Sequence, residues 1–308
     1  MRKIKYLSSF FFNFLILIGI SVETSAQTTP SVSAKENALL WEITGHGLKK
    51  PSYLYGTIHM IPKADFFLTD ATKQAIASSD KVVFEIDMKE MSNPMMLFSI
   101  MSKAMMPRGQ RLRDLISAED YALVKIRFDS LGLPLPMLET VKPMFLSAMV
   151  DGGDNPMDTT SKSANTAYEV EIMRIAEKQK KEMGGLETLA FQMSIFDSIP
   201  YKTQAEMLVK AIKSVNKGDS EFRTMIDMYK NQDIESMAQS IKSDESGSDL
   251  SYFENILLTK RNISWIPLIA KMSALKPTLY AVGAGHLGGE KGVINLLRKE
   301  GFTVRPLK

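Results

Sequence analysis

The sequence predicts an α/β protein with a central, mostly parallel sheet made from N-terminal and C-terminal segments, and with a large helical insertion between them. Three observations lead to this prediction. Short apolar runs typical of buried strands lie near both ends of the chain. The region between them, about residues 92–274, has mainly helical periodicity. No repeat and no break in composition indicates a second domain, so we expect one domain over residues 38–308.

The strands are predicted from apolar runs bounded by turn-forming residues. They are expected at 38–44, 52–58, 81–86, 277–282 and 302–306, with a further short strand at 181–186 inside the insertion. The helices are predicted from apolar residues at helical spacing. The main ones are expected at 70–79, 117–131, 167–181, 188–197, 201–216, 220–231, 234–242, 252–275 and 290–300. Pro267 predicts a break within 252–275, because proline removes a helical hydrogen bond.

The N-terminus has the order of a secretory signal. Three basic residues lie within the first five positions, an apolar run follows over 7–22, and small residues precede Ala26. We expect cleavage after Ala26, a disordered leader over 27–37, and a secreted or periplasmic protein with no membrane span after cleavage. An uncleaved anchor is the alternative, although the run is short for a span of ~20 residues.

The net charge and the absence of cysteine exclude several kinds of function. The net charge is only +3, and no basic stripe with interleaved aromatic residues occurs, so nucleic acid is not an expected partner. The chain has no cysteine, which excludes a thiolate nucleophile, a thiolate metal site and disulfides. Three histidines are present. Metal binding or acid–base chemistry would therefore rest on histidine and carboxylate side chains.

Two of the three histidines share one context. His59 and His286 each follow a predicted apolar strand and stand three residues after a glycine, Gly56 and Gly283. Ligands of parallel sheets collect beyond the carboxyl ends of the strands. We therefore expect both imidazoles to converge there, with nitrogens roughly 3–4 Å apart on one metal ion. Ordinary hydrogen-bonded loop histidines are the alternative, and His46, within a Gly-His-Gly sequence, is predicted to be a turn residue.

Two carboxylates occupy comparable places. Glu85 closes the apolar run Val-Val-Phe, and Glu187 follows Gly-Gly-Leu. A charge within a buried strand is costly unless it is paired or binds a metal. Because two imidazoles and a carboxylate are a common donor set for a divalent metal, His59, Glu85 and His286 are the predicted metal ligands. Glu187 is the predicted catalytic carboxylate, and a salt bridge or helix cap is the alternative for either glutamate.

Arg261 and Asn262 lie within an apolar helical stretch. An arginine there is predicted to be catalytic, stabilising an oxyanion or binding a carboxylate. Asn262 and the motif glycines Gly56 and Gly283 are predicted to contact the substrate. A surface arginine that extends from the helix to solvent is the alternative for Arg261.

These motifs carry a resemblance to a known family. The segments YLYGTIHM, VVFEID, GGLETLAFQ, LLTKRNISWI and AVGAGHLGGEKGVINLLRKEGFTV occur in an order that resembles the TraB/GumN family, which includes Tiki-type metalloproteases. The resemblance runs from about residue 40 to residue 306. It implies a fold akin to erythromycin-esterase-like and ChaN-like proteins.

The resemblance also implies an active centre of His59, Glu85 and His286, with manganese or cobalt as the metal and zinc as a further option. Glu187 and Arg261 match other family positions. One departure concerns an Asp that members often carry one helix before GLET. The nearest match here is Glu169, so the sequence departs from the family pattern at that position.

The sequence thus predicts an exported, metal-dependent hydrolase that acts on peptides or small molecules. We further expect the helical insertion to cover the carboxyl edge of the sheet and form the wall of the cleft. The alternative function is a module that binds and sequesters a peptide or a haem-like ligand with the same residues and without turnover, since one set of side chains can serve either purpose.

Overall fold

A computed structural model of the chain describes residues 36–89, 102–150, 165–213, 215–240 and 255–308. The predicted signal segment and nearly all of the predicted leader lie outside these ranges. Within them, no helix is both long enough and apolar enough to cross a bilayer. The described residues divide into two compact units: a sheet unit, within 36–88, 166–188 and 223–308, and a helical unit, within 89–165 and 189–222. The expectations of a single domain and of a covering insertion stay predictions.

The described strands agree with the predicted ones to within about two residues at each end. They are β1 Leu40–Gly45, β2 Ser52–Thr57, β3 Ile61–Pro62, β4 Lys81–Ile86, β5 Asn165–Thr166, β6 Glu182–Glu187, β7 Thr278–Gly283 and β8 Phe302–Leu307. The two-residue strands β3 and β5 were not predicted, because two residues are too few to show an alternating pattern.

Six of these strands form the central sheet, in the order β6-β4-β7-β2-β1-β8. The neighbours β6, β4, β7 and β2 run parallel, whereas β1 runs antiparallel to both β2 and β8. The predicted fold class, α/β with a mostly parallel sheet, is confirmed. One detail differs: the edge strand β6 comes from within the predicted insertion, so three segments of the chain build the sheet. The sequence of β6, which contains two glycines, has no apolar run, so its pairing with a central strand could not be predicted.

The described residues also contain ten α-helices. They are α1 Asp70–Ser78, α2 Ala118–Ser130, α3 Pro143–Val150, α4 Tyr168–Lys178, α5 Leu189–Asp197, α6 Tyr201–Lys213, α7 Val215–Lys230, α8 Ile234–Ser240, α9 Lys260–Leu275 and α10 Val293–Lys299. Short 3-10 turns lie at Pro107–Gly109, Leu112–Asp114, Leu135–Met137 and Ala284–His286, and a π turn lies at Asn255–Thr259.

The predicted break at Pro267 is wrong, because α9 continues through it. Proline cannot donate a hydrogen bond to the carbonyl four residues earlier, here that of Ile263. The side chain of Ile263 is 52% exposed. That carbonyl therefore lies on the solvent side of the helix, where water can replace the missing donor. The opposite face, with Trp265 and Ile269, is fully buried.

The helical unit contains α2, α3, α5 and α6. All of α3 except one residue is buried, as its continuous apolar sequence predicts. A buried glutamine connects three of its segments. Gln204 accepts from the backbone N–H of Met144 at 3.2 Å and donates to the carbonyls of Phe196 and Ile199 at 2.8 Å each. These bonds satisfy a polar side chain that would otherwise destabilise the core.

In the sheet unit, α9 packs on the central strand β7. The hydroxyl of Tyr280 in β7 donates to the carbonyl of Ile269 at 3.0 Å and lies 2.9 Å from the hydroxyl of Ser273. The buried face of α9 carries Arg261, Asn262 and Trp265 at helical spacing. The start of α9 is thereby held over the end of β7, and its polar residues face inward.

Close pairing of β6 with β4 gives a test of the fold. A Cβ atom on Gly185 would lie 2.4 Å from the backbone nitrogen of Asp87 and 2.7 Å from the carbonyl carbon of Ile86, so the backbone would have to shift. We expect Gly185→Ala to lower the free energy of unfolding by about 1–3 kcal/mol, the usual cost of overpacking. Urea unfolding followed by circular dichroism measures it.

The matched control is the neighbouring Gly184→Ala. There the added Cβ would meet only the end of the flexible Lys81 side chain, at 3.3 Å. We expect a change below about 1 kcal/mol in either direction. Equal losses in the two variants would contradict the described pairing of β6 with β4.

Candidate active site at the carboxyl edge of the sheet

Four parallel strands place chemically useful groups at one edge of the sheet. Thr57 ends β2, Glu187 ends β6, Gly283 ends β7, and Glu85 is the last residue but one of β4. In the pairing, Thr57 lies opposite Gly283, and Ile86 lies opposite Glu187. These carboxyl ends are therefore level with one another. In parallel sheets this edge is where ligands collect.

The centre of this edge is the guanidinium of Arg261, a residue only 3% exposed. It reaches both strand-end carboxylates. Its Nη2 donates to Glu85 at 2.5 Å and to Glu187 at 2.9 Å, and its Nε donates to both oxygens of Glu187 at 3.1 Å. Its Nη1 donates to the carbonyl of Leu257 at 3.1 Å. One buried cation thus pairs with two carboxylates from different strands.

An indole supports this ion-pair cluster. The Trp265 Nε1 donates to Glu187 at 2.9 Å, and its ring lies beneath the Arg261 guanidinium, 5.0 Å from its carbon. The same ring packs on His286 with centroids 4.5 Å apart. Trp265 is one helical turn after Arg261, so one buried stripe of α9 supplies both.

Glu85 is held in its ionised form. Burial alone would raise the pKa of its carboxyl, but the Arg261 guanidinium, the two histidines and the Gly283 N–H together hold that pKa well below its usual range. The N–H of Gly283 donates to Oε1 at 2.9 Å. The same oxygen lies 3.7 Å from Nε2 of His286. Glu85 is therefore a fixed negative charge beside the second G-x-x-H motif.

The contacts of His286 fix its tautomer. Its Nδ1 lies 2.6 Å from Oδ1 of Asn262, whose amide nitrogen donates to the carbonyl of Lys291 at 2.9 Å. The oxygen of Asn262 must then accept, so Nδ1 carries the proton. On the other side, Nε2 lies 3.2 Å from Nη1 of Arg261, which can only donate. Burial and Arg261 lower the pKa of His286 to about 3, so the ring is neutral.

His59 is held by a different partner. Its Nδ1 lies 2.8 Å from Oε1 of Glu169, in the first turn of α4, and the Thr57 hydroxyl donates to the same oxygen at 2.6 Å. Burial lowers the pKa of His59, but the Glu169 and Glu85 carboxylates together raise it above its ordinary value. His59, in the first G-x-x-H motif, is therefore close enough to the cluster of Glu85, Glu187 and Arg261 for the charge of Glu85 to affect its pKa.

The structure thus brings Glu85, Glu187, Arg261, Asn262 and His286 into direct contact. His59 lies with Glu169, and the charges of Glu85 and Arg261 act on it. The predicted spacing of the two histidines and the predicted roles of these residues stay predictions. The third histidine, His46, has a positive φ of 47° in a turn and packs on another ring, that of a phenylalanine in β8, with centroids 4.5 Å apart.

The motif glycines allow close packing of the loop that carries His286. A Cβ on Gly56 would lie 3.0 Å from side-chain carbons of both Ala284 and Leu287. A Cβ on Gly283 would lie 3.3 Å from the Glu85 carboxylate. Protein atoms occupy these spaces, so a side chain at either position would require its neighbours to shift by a few tenths of an ångström. Their predicted contact with the substrate stays a prediction.

Sequence reasoning missed three participants: Thr57, Trp265 and Glu169. Thr57 lies inside the first G-x-x-H motif, and Trp265 is four residues after Arg261, so helical spacing could have indicated it. Glu169 was noted only as a departure from a family pattern. Its contact with His59 spans more than a hundred residues, and local pattern does not reveal such a contact.

The fold and the edge define an α/β protein with a buried carboxylate, arginine and histidine cluster at the ends of its parallel strands. The chain belongs to the TraB/PrgY/gumN family, which it matches over residues 39–306. No solved structure matches the chain.

Several curated relatives carry the name metalloprotease. Metalloprotease TIKI1 of Danio rerio is 25% identical over 92% of this chain and 65% of its own length. Metalloprotease TIKI1 of Homo sapiens is 22% identical over 87% of this chain and 61% of its own length. Metalloprotease TIKI2 of Xenopus tropicalis is 22% identical over 92% of this chain and 62% of its own length. The chain therefore spans less than two thirds of the length of these relatives.

The buried arginine gives a direct test of the cluster. Replacement of Arg261 by leucine would leave two carboxylates buried without their cation. We expect Arg261→Leu to cost about 3–5 kcal/mol of unfolding free energy, as for other broken buried pairs. Urea unfolding in the presence of a chelator measures this loss without any contribution from metal.

Arg298→Leu is the matched control. Arg298 also pairs with a glutamate, Glu36, at 3.3 Å and lies over a tryptophan, Trp41, at 5.5 Å, but its side chain is 29% exposed. We expect a loss of at most about 1 kcal/mol, because solvent screens the pair. Similar losses for the two variants would show that burial of the Arg261 cluster carries no special cost.

Proposed function

We propose that this chain is an exported, metal-dependent hydrolase that cleaves peptides, with its active site at the carboxyl edge of the sheet. The observation that carries the proposal is the buried cluster in which His286, Glu85 and Arg261 meet at the strand ends. Sequence similarity to relatives that are named metalloproteases also supports the proposal. The metal, the peptide substrate and the site residues are all parts of the proposal.

The donor atoms at this edge, an imidazole nitrogen and carboxylate oxygens, are of the types that bind divalent transition metals. Neutral His286 has an acceptor lone pair on Nε2, and Glu85 is an ionised carboxylate. Glu85 and Glu187 carry −2 in total and Arg261 carries +1, so these three side chains, which contact one another through the guanidinium, leave a formal charge of −1. A charge of that sign favours a cation.

The arrangement differs from a finished metal site in one respect. Among the residues that the structure describes, no three His, Asp or Glu side chains surround a common point. Arg261 instead places its Nη atoms on His286 and Glu85. Metal binding therefore requires Arg261 to release those two contacts, while its Nε contacts with Glu187 can remain. His59, Glu85 and His286 are the side chains that would hold the metal.

Three residues around the proposed metal would each have a separate role in peptide hydrolysis. A bound divalent metal supplies a nucleophilic water near neutral pH and polarises a peptide carbonyl. Arg261, held by Glu187 and Trp265, is placed to stabilise the negative charge that develops on the carbonyl oxygen. Asn262 keeps the proton of His286 on Nδ1 and leaves Nε2 to face the site. Glu187 fixes the direction of the Arg261 guanidinium.

The proposal includes location and partners. The N-terminal charge, apolar run and small residues favour a signal peptide cut after Ala26 and therefore a secreted or periplasmic protein. The partner at the site is a peptide or another small substrate. Nucleic acid is not proposed, because the sequence offers no basic stripe.

Metal binding is the first consequence. We expect the purified protein to bind one equivalent of manganese or cobalt after dialysis, measured by elemental analysis, and cobalt to add visible absorption bands. His286→Gln and His59→Gln should each lower the affinity at least about tenfold, because each removes a nitrogen ligand.

His46→Asn is the matched control, since it removes the remaining histidine and asparagine tolerates the positive φ of that turn. It should leave metal binding unchanged. Circular dichroism establishes whether each variant is folded. Absence of bound metal at neutral pH, after addition of manganese, cobalt or zinc, would remove metal dependence from the proposal.

Peptide cleavage is the second consequence. We expect the metal-loaded protein to produce new peptide termini from a mixed peptide library, detected by mass spectrometry. Arg261→Lys keeps the positive charge but loses the planar fork that contacts Glu85 and Glu187 together. It should reduce cleavage by about 100-fold, the range seen when one oxyanion donor is lost. Its metal affinity should change much less.

The alternative function predicts another outcome of the same experiment. A module that sequesters a peptide or haem-like ligand would bind without producing new termini, even with metal supplied. That result, obtained with protein whose metal content is established, would replace the hydrolase by the binding module. Uncleaved peptides that are retained on the protein would identify the ligand class.

A further inference from the structure

We propose that the outer side of strand β6 binds the peptide substrate in an extended conformation, as an added strand that leads to the candidate active site. The inference rests on the proposed function, because it names how that site recognises a peptide. β6 is the last strand of the sheet order, and among the described residues β4 is its only strand partner. One side of its backbone is therefore available for pairing with another chain.

The pairing of β6 with β4 shows which backbone groups face outward. The N–H of Glu182 donates to the carbonyl of Asp80, the residue before β4, at 3.2 Å. Because the hydrogen-bonding groups of a strand alternate between its two sides, the N–H and C=O of the next residue, Met183, face away from β4. Met183 and Gly184 are neither fully buried nor fully exposed. The outward groups of β6 therefore lie near the protein surface.

The two outer strands of the sheet differ in their protection against pairing. Strand β8 contains Arg305 and Pro306, a charge and a proline of the kind that protect an outer strand. The inner part of β6 is Met-Gly-Gly-Leu, which has neither. Its charges lie only at its two ends, Glu182 and Glu187. Since an unprotected outer strand readily pairs with another chain, this difference indicates that β6 has a partner strand.

The two glycines of β6 have different explanations. Gly185 lies close to β4, where an added Cβ would be 2.4 Å from the backbone nitrogen of Asp87. At Gly184 an added Cβ would meet only the end of the flexible Lys81 side chain, at 3.3 Å. Contact with β4 therefore explains Gly185 but not Gly184. A glycine within a strand also marks a place where a ligand backbone approaches closely, and a peptide on β6 supplies that reason.

The position of β6 relative to the candidate active site identifies the partner as the substrate. β6 ends at Glu187, and the Nε of Arg261 donates to both oxygens of that carboxylate at 3.1 Å. A strand rises about 3.3 Å per residue, so a peptide paired with Met183 reaches this ion pair about four residues further along. Main-chain hydrogen bonds bind peptides of varied sequence, which suits a peptidase.

A proline on the outer side of β6 tests the pairing. Met183→Pro removes the outward N–H and keeps the hydrogen bonds to β4, because an outer strand accepts proline at such a position. Met183→Ala measures the contribution of the side chain separately. We expect Met183→Pro to raise KM for cleaved peptides of the mixed library about tenfold beyond Met183→Ala, the effect of one lost hydrogen bond. The kcat should change by less than about twofold, since the lost contact contributes to binding alone.

Methylation of the peptide backbone tests the same contact from the other partner, and it needs no variant that could fail to fold. One cleaved peptide is prepared with a single N-methyl group at each position in turn. Along the part of the peptide that pairs with β6, N-methyl groups should raise KM about tenfold at every second position. At the positions between, the change should be below about threefold, because alternate N–H groups of a strand face opposite sides.

Amide hydrogen exchange measures the pairing without turnover. With a chelator present, the mixed peptide library should slow exchange of the Met183 amide at least about tenfold in the wild-type protein, because an amide in a strand pair is protected. The other outer strand, β8, is the matched control. Its exchange should not change when peptides are added.

Three results would overturn the proposal: a methylation scan without alternation, exchange in β6 that peptides leave unchanged, or a dimer paired through β6 that peptides do not dissociate. The last result, detected by light scattering together with exchange, would make a second copy of the chain the partner of β6. Failure of the proposed function has a different signature. In that case no peptide is cleaved with metal supplied, while peptides still slow exchange in β6.

Discussion

The described site depends on one buried cation, the guanidinium of Arg261. Two strand-end carboxylates, Glu85 and Glu187, would be costly to bury without it, because each negative charge would leave water without gaining a cation. Arg261 contacts both and is the largest of the causes that lower the pKa of Glu85. The same guanidinium lies over Trp265 and faces the acceptor nitrogen of His286. The contacts that hold α9 on the ends of β4, β6 and β7 are therefore the same contacts that form the polar cluster.

The same constraint holds the groups of the site in place. Its groups come from strand ends and from the buried face of a helix, and hydrogen bonds hold each of them on more than one side. His286 is fixed between Asn262 and Arg261, and Glu85 is fixed between Arg261 and the N–H of Gly283. Such support keeps reacting groups in place at little further cost in entropy. The motif glycines contribute by letting the loop after β7 pack closely on β2 and β4.

Charge balance connects the described arrangement to the proposed chemistry. One guanidinium pairs with two carboxylates at this edge, so an additional cation is favoured there, and Arg261 occupies part of the place that such a cation would take. Release of His286 and Glu85 by Arg261 would leave the arginine on Glu187. The residue that pairs with both carboxylates is thereby the one that is proposed to stabilise the negative charge that develops on the carbonyl oxygen.

The sequence by itself determined the fold class, most strand and helix positions, and the candidates His59, Glu85, Glu187, Arg261 and His286. It could do so because buried strands and helix faces leave local periodic patterns, and because a charge at the end of an apolar strand stands out from them. It could not place β6 at the edge of the sheet beside β4, nor assign Glu169 to His59 or Asn262 to His286. Those pairings join residues far apart in the chain, and they arise only when strand order and helix docking set distances in space, which no local pattern encodes.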